Sequence, residues 1–174
     1  MNANTKQIPK PNNTMNQLRT LSIQEPYISL MVHGASHEGI AQMPKGAQRC
    51  FIPKSGVKDL EVRSWQTQYR GPLLLHTSRG KEPLSVYEGK LELFPNRGNV
   101  VAIADLVDVR RMTRKDAWRA CHTSNFNPEL FVWELARITP ITPQPVIGKV
   151  GIFFTELQPK QQQEVKKWLR QLHQ

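Results

Sequence analysis

The order and character of the apolar segments predict an α+β domain, built as a small mixed β-barrel with short flanking helices. Strand-like segments dominate the chain, and the helical ones are few: one early, one in the middle, one at the end. That order does not alternate as βαβ units do, which argues against a doubly wound sheet. With 174 residues and 39% hydrophobic content the chain holds one domain with a core of its own.

Residues 1–16 are mostly Asn, Thr, Lys, Gln and Pro, with almost nothing to bury, and read as a disordered basic arm. A single domain then occupies 17–174. Leu18 to Ile23 alternates as a first strand, and Pro26 opens a helix carrying Tyr27, Leu30 and Met31, which Gly34 stops. Residues 34–56 contain Gly34, Gly39, Gly46 and Gly56 with Pro44 and Pro53. They read as an inserted loop, too broken for a helix, and Lys45, Arg49 and Lys54 make it basic.

Val57 to Trp65 reads as a strand, Gln66 to Pro72 as a turn and Leu73 to Thr77 as a buried strand. After an irregular stretch over 78–99, Val100 to Val109 has the β-branched density of a strand with one face in the core. Thr113 caps a short helix through Ala120, with Asp116 in the reciprocal capping position. Phe131 to Ile138 alternates again until Pro140, Pro143 and Pro145 interrupt it, and Gly148 to Phe154 is the last strand. Pro159 starts a terminal helix with Val165, Trp168, Leu169 and Leu172 on one face.

A formal net charge of +10 favours polyanionic partners, of which nucleic acid is the commonest inside cells. The alternative is a basic surface that serves solubility, or one that meets an acidic protein. Cys50 and Cys121 make no disulfide framework, so the chain reads as cytoplasmic. No apolar run has membrane-helix length, and the N-terminus lacks the apolar centre of a signal peptide. No cofactor is expected. His33, His37 and Cys50 have loose metal-ligand spacing, but Gly34 breaks the helix that would align them, so no metal site is expected.

The richest segment runs from Gly56 to Pro72, where Lys58, Glu61, Arg63, Trp65, Tyr69 and Arg70 stand close together beside a core strand. If residues 59–65 are extended, Leu60 and Val62 face the core while Glu61, Arg63 and Trp65 face the other way. Lys58 has the wrong parity and would converge from the turn after Gly56. Arg63 offers a planar fork for a phosphate or a base edge, and Trp65 or Tyr69 a stacking surface. The bland readings are a surface Glu61–Arg63 ion pair, a core tryptophan and a structural turn at Arg70. His76 ends a buried strand, where it either lines a cleft or is hydrogen-bonded within the structure. Arg110, Arg111, Arg114, Lys115 and Arg119 cluster at a strand-to-helix junction, where exposed cations track a phosphate backbone or merely form a solvated face.

Gly56-x-Lys58-x-x-Glu61-x-Arg63 resembles the GxKxxExR signature of the ASCH (activating signal cointegrator homology) family. Leu21 to Pro26, Arg63 to His76, Val100 to Val109 and Phe131 to Ile138 are similar to that family's strands, so the resemblance covers residues 18–155. It implies a PUA-like mixed barrel with a cleft beside the signature, and RNA or another nucleic acid as partner. Lys58, Glu61, Arg63, Trp65, Tyr69 and Arg70 would bind the nucleotide, and Arg110, Arg111 and Arg114 its flanking backbone. Some family members are similar to hydrolases of N4-acetylcytidine and others to ribonucleases, which would make Lys58 and Glu61 catalytic. The chain departs from the pattern in the 34–56 insertion and in Glu61, where the deacetylating members carry threonine. The third member of their constellation stays open among Asp116, Glu129 and Glu134.

Overall fold

The computed structural model describes residues 17–53, 57–80, 88–121 and 126–171. The expected basic arm at 1–16, the Gly56 turn and Leu172 lie outside them. Strands β1 (Gln17–Ile23), β2 (Leu60–Arg63), β3 (Gly71–Thr77), β4 (Asn99–Arg111), β5 (Phe131–Pro145) and β6 (Ile152–Glu156) form one sheet. Its order is β2-β5-β4-β3-β1-β6. Only β1 and β3 pair in parallel; the remaining pairs are antiparallel, so the sheet is mixed and curls into a half-barrel. The α+β class expected from the sequence is therefore the class observed, with β2 and β6 as open edges.

Strand parity builds the two faces. Leu21, Ile23, Leu73, Leu75, Ala102, Ala104, Trp133 and Leu135 pack beneath helix α1 (Tyr27–Val32). Leu74, Val100 and Ile103 pack with Val165 and Trp168 of the terminal helix, which the described residues number as α4 (Pro159–Arg170) after two short helices introduced below. Pro159 stands in the first turn of α4, where its missing N–H costs nothing. Leu60 and Val62 join Met112, Ala120 and Val132 in a third cluster, as their parity requires.

Three expectations are corrected. The described part of the expected 34–56 loop, residues 34–53, holds a 3₁₀ turn at Gly34–Ser36 and helices α2 (Glu38–Ala41) and α3 (Lys45–Phe51). Ile40 and Met43 bury themselves with Leu30, Phe94 and Cys121, so these short helices are held by tertiary packing that intrinsic propensity does not reveal. A Cβ on Gly39 would meet the Phe94 ring at 2.6 Å, and this close approach explains a glycine inside so short a helix.

Secondly, prolines 140, 143 and 145 do not end β5, which continues through them. Past Glu134 the strand has lost β2, so the prolines sit where one edge lacks a strand partner. Side chains of α4 serve that edge instead: the Glu164 carboxylate accepts from Thr142 N and Oγ1 at 2.8 and 2.7 Å, and Gln161 Nε2 donates to the Thr142 carbonyl. Thirdly, the segment from Thr113 is one 3₁₀ turn, Arg114–Asp116, followed by turns, although its capping box forms as expected. Smaller shifts of boundary shorten the second strand to Leu60–Arg63 and move the last to Ile152–Glu156. Among the described residues no helix is long and apolar enough to cross a membrane.

Candidate nucleic-acid interface

Antiparallel pairing with β5 sets Glu61 opposite Trp133 and Arg63 opposite Phe131. Glu61 and Arg63 thus share a face, away from Leu60 and Val62. Lys58 precedes the strand and is almost wholly buried at 1% exposure. Its ammonium donates to the carbonyls of Leu60 and of Ala120 (3.0 Å) and pairs with Glu61 Oε2 at 3.2 Å, with the Tyr27 ring 5.4 Å away. An ammonium has three N–H groups, and three acceptors occupy them. Lys58 therefore fixes Glu61 and closes the wall, rather than presenting a free amine.

Glu61 Oε1 lies 3.2 Å from Arg63 Nη2, which also donates to the Ser22 carbonyl at 2.6 Å. Among the described residues Arg63 Nε is buried with no hydrogen-bond partner. Arg63 is the point where two clefts meet. One, of about 320 Å³, is lined by Gln24, Tyr27, Lys58, Glu61, Ser64 and Cys121. The other, of about 590 Å³, is lined by Ser22, His76, Arg79, Gly148 and Lys149; Gln24 and Arg63 border both. Burial pushes the Cys121 thiol up to about 11, which keeps it a protonated wall residue and no nucleophile.

The other expected residues are placed differently. Trp65 is half-buried and meets Trp133 edge-on at 4.6 Å, with its carbonyl accepting from Trp133 Nε1 at 3.3 Å; it belongs to the core. Tyr69 donates to the Pro72 carbonyl, and the Arg19 guanidinium lies 4.3 Å from its ring centre. Burial raises the Tyr69 phenol above its ordinary range. Arg70 clamps a turn through the carbonyls of Thr67, Tyr69 and Val109 and through Asp108. None of these three lines either cleft.

The cations of the strand-to-turn junction form a second group. Arg110 makes two 2.7 Å bonds to Asp116, whose carboxylate also accepts from Thr113 N and Oγ1. Arg110 first and the Thr113 donors next hold the Asp116 carboxyl well below the usual carboxylate range. Arg119 forks onto Asp59 and reaches Glu134, which places both carboxylates outside the Glu61 site. Arg111 pairs with Glu129 and covers the Phe131 ring, and Arg114 lies over Phe126. Among Asp116, Glu129 and Glu134, each has an arginine partner and none is found beside Lys58.

Sequence reasoning passed over Ser22, Gln24, Arg79 and Lys149. Ser22 within β1 and Gln24 just after it have the parity opposite to Leu21 and Ile23, a signal that was present. Arg79 and Lys149 reach the cleft through loops that carry no periodicity.

The architecture and this cleft define an α+β domain with a signature-lined pocket at the sheet's edge. No protein-family model matches the sequence, and no curated protein matches it. Among solved structures, the chain is similar to the ASCH protein of Zymomonas mobilis at 11% identity, with 86% of this chain and 93% of that one covered and a TM-score of 0.42. Two point variants of that protein are each 12% identical, cover 86% of this chain, and give TM-scores of 0.44 and 0.43 with 96% and 94% of their own chains covered.

Proposed function

We propose that this chain is a nucleic-acid-binding domain that takes single-stranded RNA across the junction of the two clefts. The observation that carries the reading is Arg63: a guanidinium, oriented by Glu61 and the Ser22 carbonyl, that lines both pockets. Glu61, itself held by Lys58, and Gln24 supply the acceptor and amide groups that recognise a base edge. Arg79 and Lys149 in the larger cleft carry positive charge toward phosphate. Arg111 and Arg114, exposed over aromatic rings, contact flanking phosphates weakly, and Arg110 supports that strip through Asp116.

A hydrolase built on Lys58 draws no support from this geometry, because the three donors of the amine already have acceptors. Fluorescence anisotropy with labelled single-stranded RNA at a series of salt concentrations tests the proposal. Binding should weaken linearly on a log–log plot as salt rises, and Arg63→Ala should reduce affinity at least about tenfold. No binding at low salt, or equal affinity for Arg63→Ala and the parent, would sink it.

A further inference from the structure

Ser22 and His76 are register partners on the parallel strands β1 and β3, and both line the larger cleft. The β4 register shifts between Leu75 and His76, an irregularity that re-aims the histidine at the strand's end. Ser22 Oγ lies 2.9 Å from His76 Nδ1, and His76 Nε2 lies 3.1 Å from the Val146 carbonyl oxygen. A carbonyl can only accept, so the proton of the neutral ring is on Nε2. Nδ1 is then an acceptor, and the Ser22 hydroxyl donates to it. The ring is 2% exposed whereas Ser22 is half-buried, so the base is enclosed and the hydroxyl is within reach of the cleft.

Gly148 packs directly against the pair, where only a glycine fits. A Cβ there would stand 2.5 Å from His76 Cε1 and 3.0 Å from Ser22 Oγ, in the space directly against both groups. The cleft around them carries Arg63, Arg79 and Lys149, and none of its described lining residues is a carboxylate. Burial, the largest influence, holds the His76 ring below the ordinary histidine pKa; the Val146 and Gly98 carbonyls oppose this, and Arg79 adds to it. A neutral, oriented imidazole beside a hydroxyl is the arrangement that activates serine.

We propose that Ser22 is a nucleophile, activated by His76 as general base, for carboxylic esters that carry an anionic group. Ser22 Oγ bonds to the carbonyl carbon while its proton passes to His76 Nδ1. The carbon–oxygen bond to the alcohol breaks, and the departing alkoxide takes that proton. Water then adds to the acyl-serine, its proton goes to Nδ1, and Oγ leaves and recovers the proton, so that one ester and one water give one acid and one alcohol. Arg63, bound to the carbonyl of Ser22 itself, and Lys149 provide the positive charge for the substrate's anion. This inference does not depend on RNA binding.

The test is covalent labelling by a fluorophosphonate, located by intact-mass and peptide mass spectrometry. One adduct is expected, on Ser22 and absent from Ser22→Ala, with labelling slowed at least tenfold by His76→Asn. Because His76 is buried, Gly148→Ala gives an independent reading: its methyl group crowds the pair and should slow labelling too. No adduct on Ser22 of the parent protein, or unchanged labelling in folded His76→Asn or Gly148→Ala, overturns the proposal. Hydrolysis of 4-acetoxybenzoate should exceed that of its neutral methyl ester, a preference that Lys149→Ala reduces; equal rates reject the anionic substrate class. Labelling is read without RNA and RNA affinity is read on the parent protein, so that the two readings fail separately.

Discussion

The Lys58-to-Arg63 wall and the Arg110-to-Arg119 junction are both rich in cations, yet they are built to opposite ends. At the junction each guanidinium meets an acceptor or ring of its own: Arg110 with Asp116, Arg119 with Asp59 and Glu134, Arg111 with Glu129 and Phe131, and Arg114 with Phe126. At the wall one carboxylate, Glu61, serves two cations, and one of those, Arg63, lines both clefts. Formal charge counts the two regions alike. The difference lies in position: Arg63 lines both clefts, whereas the junction arginines line neither, and Arg110 and Arg119 are saturated by carboxylates.

The contrast can be broken most forcefully at Lys58. Lys58→Met leaves two carbonyls without their donor and Glu61 with one partner, and should cost about 3 kcal/mol of stability. Chemical denaturation reads this, and adding Glu61→Gln should restore part of the loss. An unchanged midpoint would mean that Lys58 is not a structural cation.

A comparable effect comes from a carboxyl outside both regions. Glu25 is 2% exposed, accepts from Ser29 N at 3.3 Å, and burial pushes its pKa up to about 7. Its folded value lies above its unfolded one, so the folded state holds the proton more tightly. Stability from this group is full below about pH 4.3 and declines as pH rises toward 7, by about 3 kcal/mol. Glu25→Gln should flatten that decline, as urea midpoints between pH 5 and 8 would show.

Asp116 has the opposite sign. Its folded pKa is depressed, so its contribution is present above about pH 3.9 and disappears as pH falls through the folded value. Asp116→Asn should cost about 1–3 kcal/mol near neutrality and make the protein less sensitive to strong acid. Equal acid sensitivity of the two proteins would remove Arg110–Asp116 from the group of saturated pairs. The smallest effects belong to Arg111→Ala and Arg114→Ala, each expected to weaken RNA binding two- to threefold and to lower the salt slope by about one.

Much of the fold was legible because parity and capping are local. Leu21 and Ile23, Leu60 and Val62, and Val165 and Trp168 fall in the clusters that their spacing assigns, and the Thr113–Asp116 box is written in four residues. β5 was misread because the meaning of a proline depends on whether the neighbouring edge is occupied, and β2 is too short to reach Pro140. Helices α2 and α3 were missed because Leu30 and Phe94, distant in sequence, hold them. At the site, the shared face of Glu61 and Arg63 was legible. The saturation of Lys58 was not, since Ala120 supplies one acceptor from another element. Trp65 and Tyr69 looked like stacking platforms because composition cannot tell an aromatic ring at a cleft from one packed beside it.

Photo-cross-linking of thiouridine-substituted single-stranded RNA, mapped to residues by mass spectrometry, measures directly which cations meet the ligand. The account predicts cross-links on the β2 segment around Arg63 and on the loop around Lys149, lost together in Arg63→Ala. Cross-links confined to residues 110–119 would contradict it.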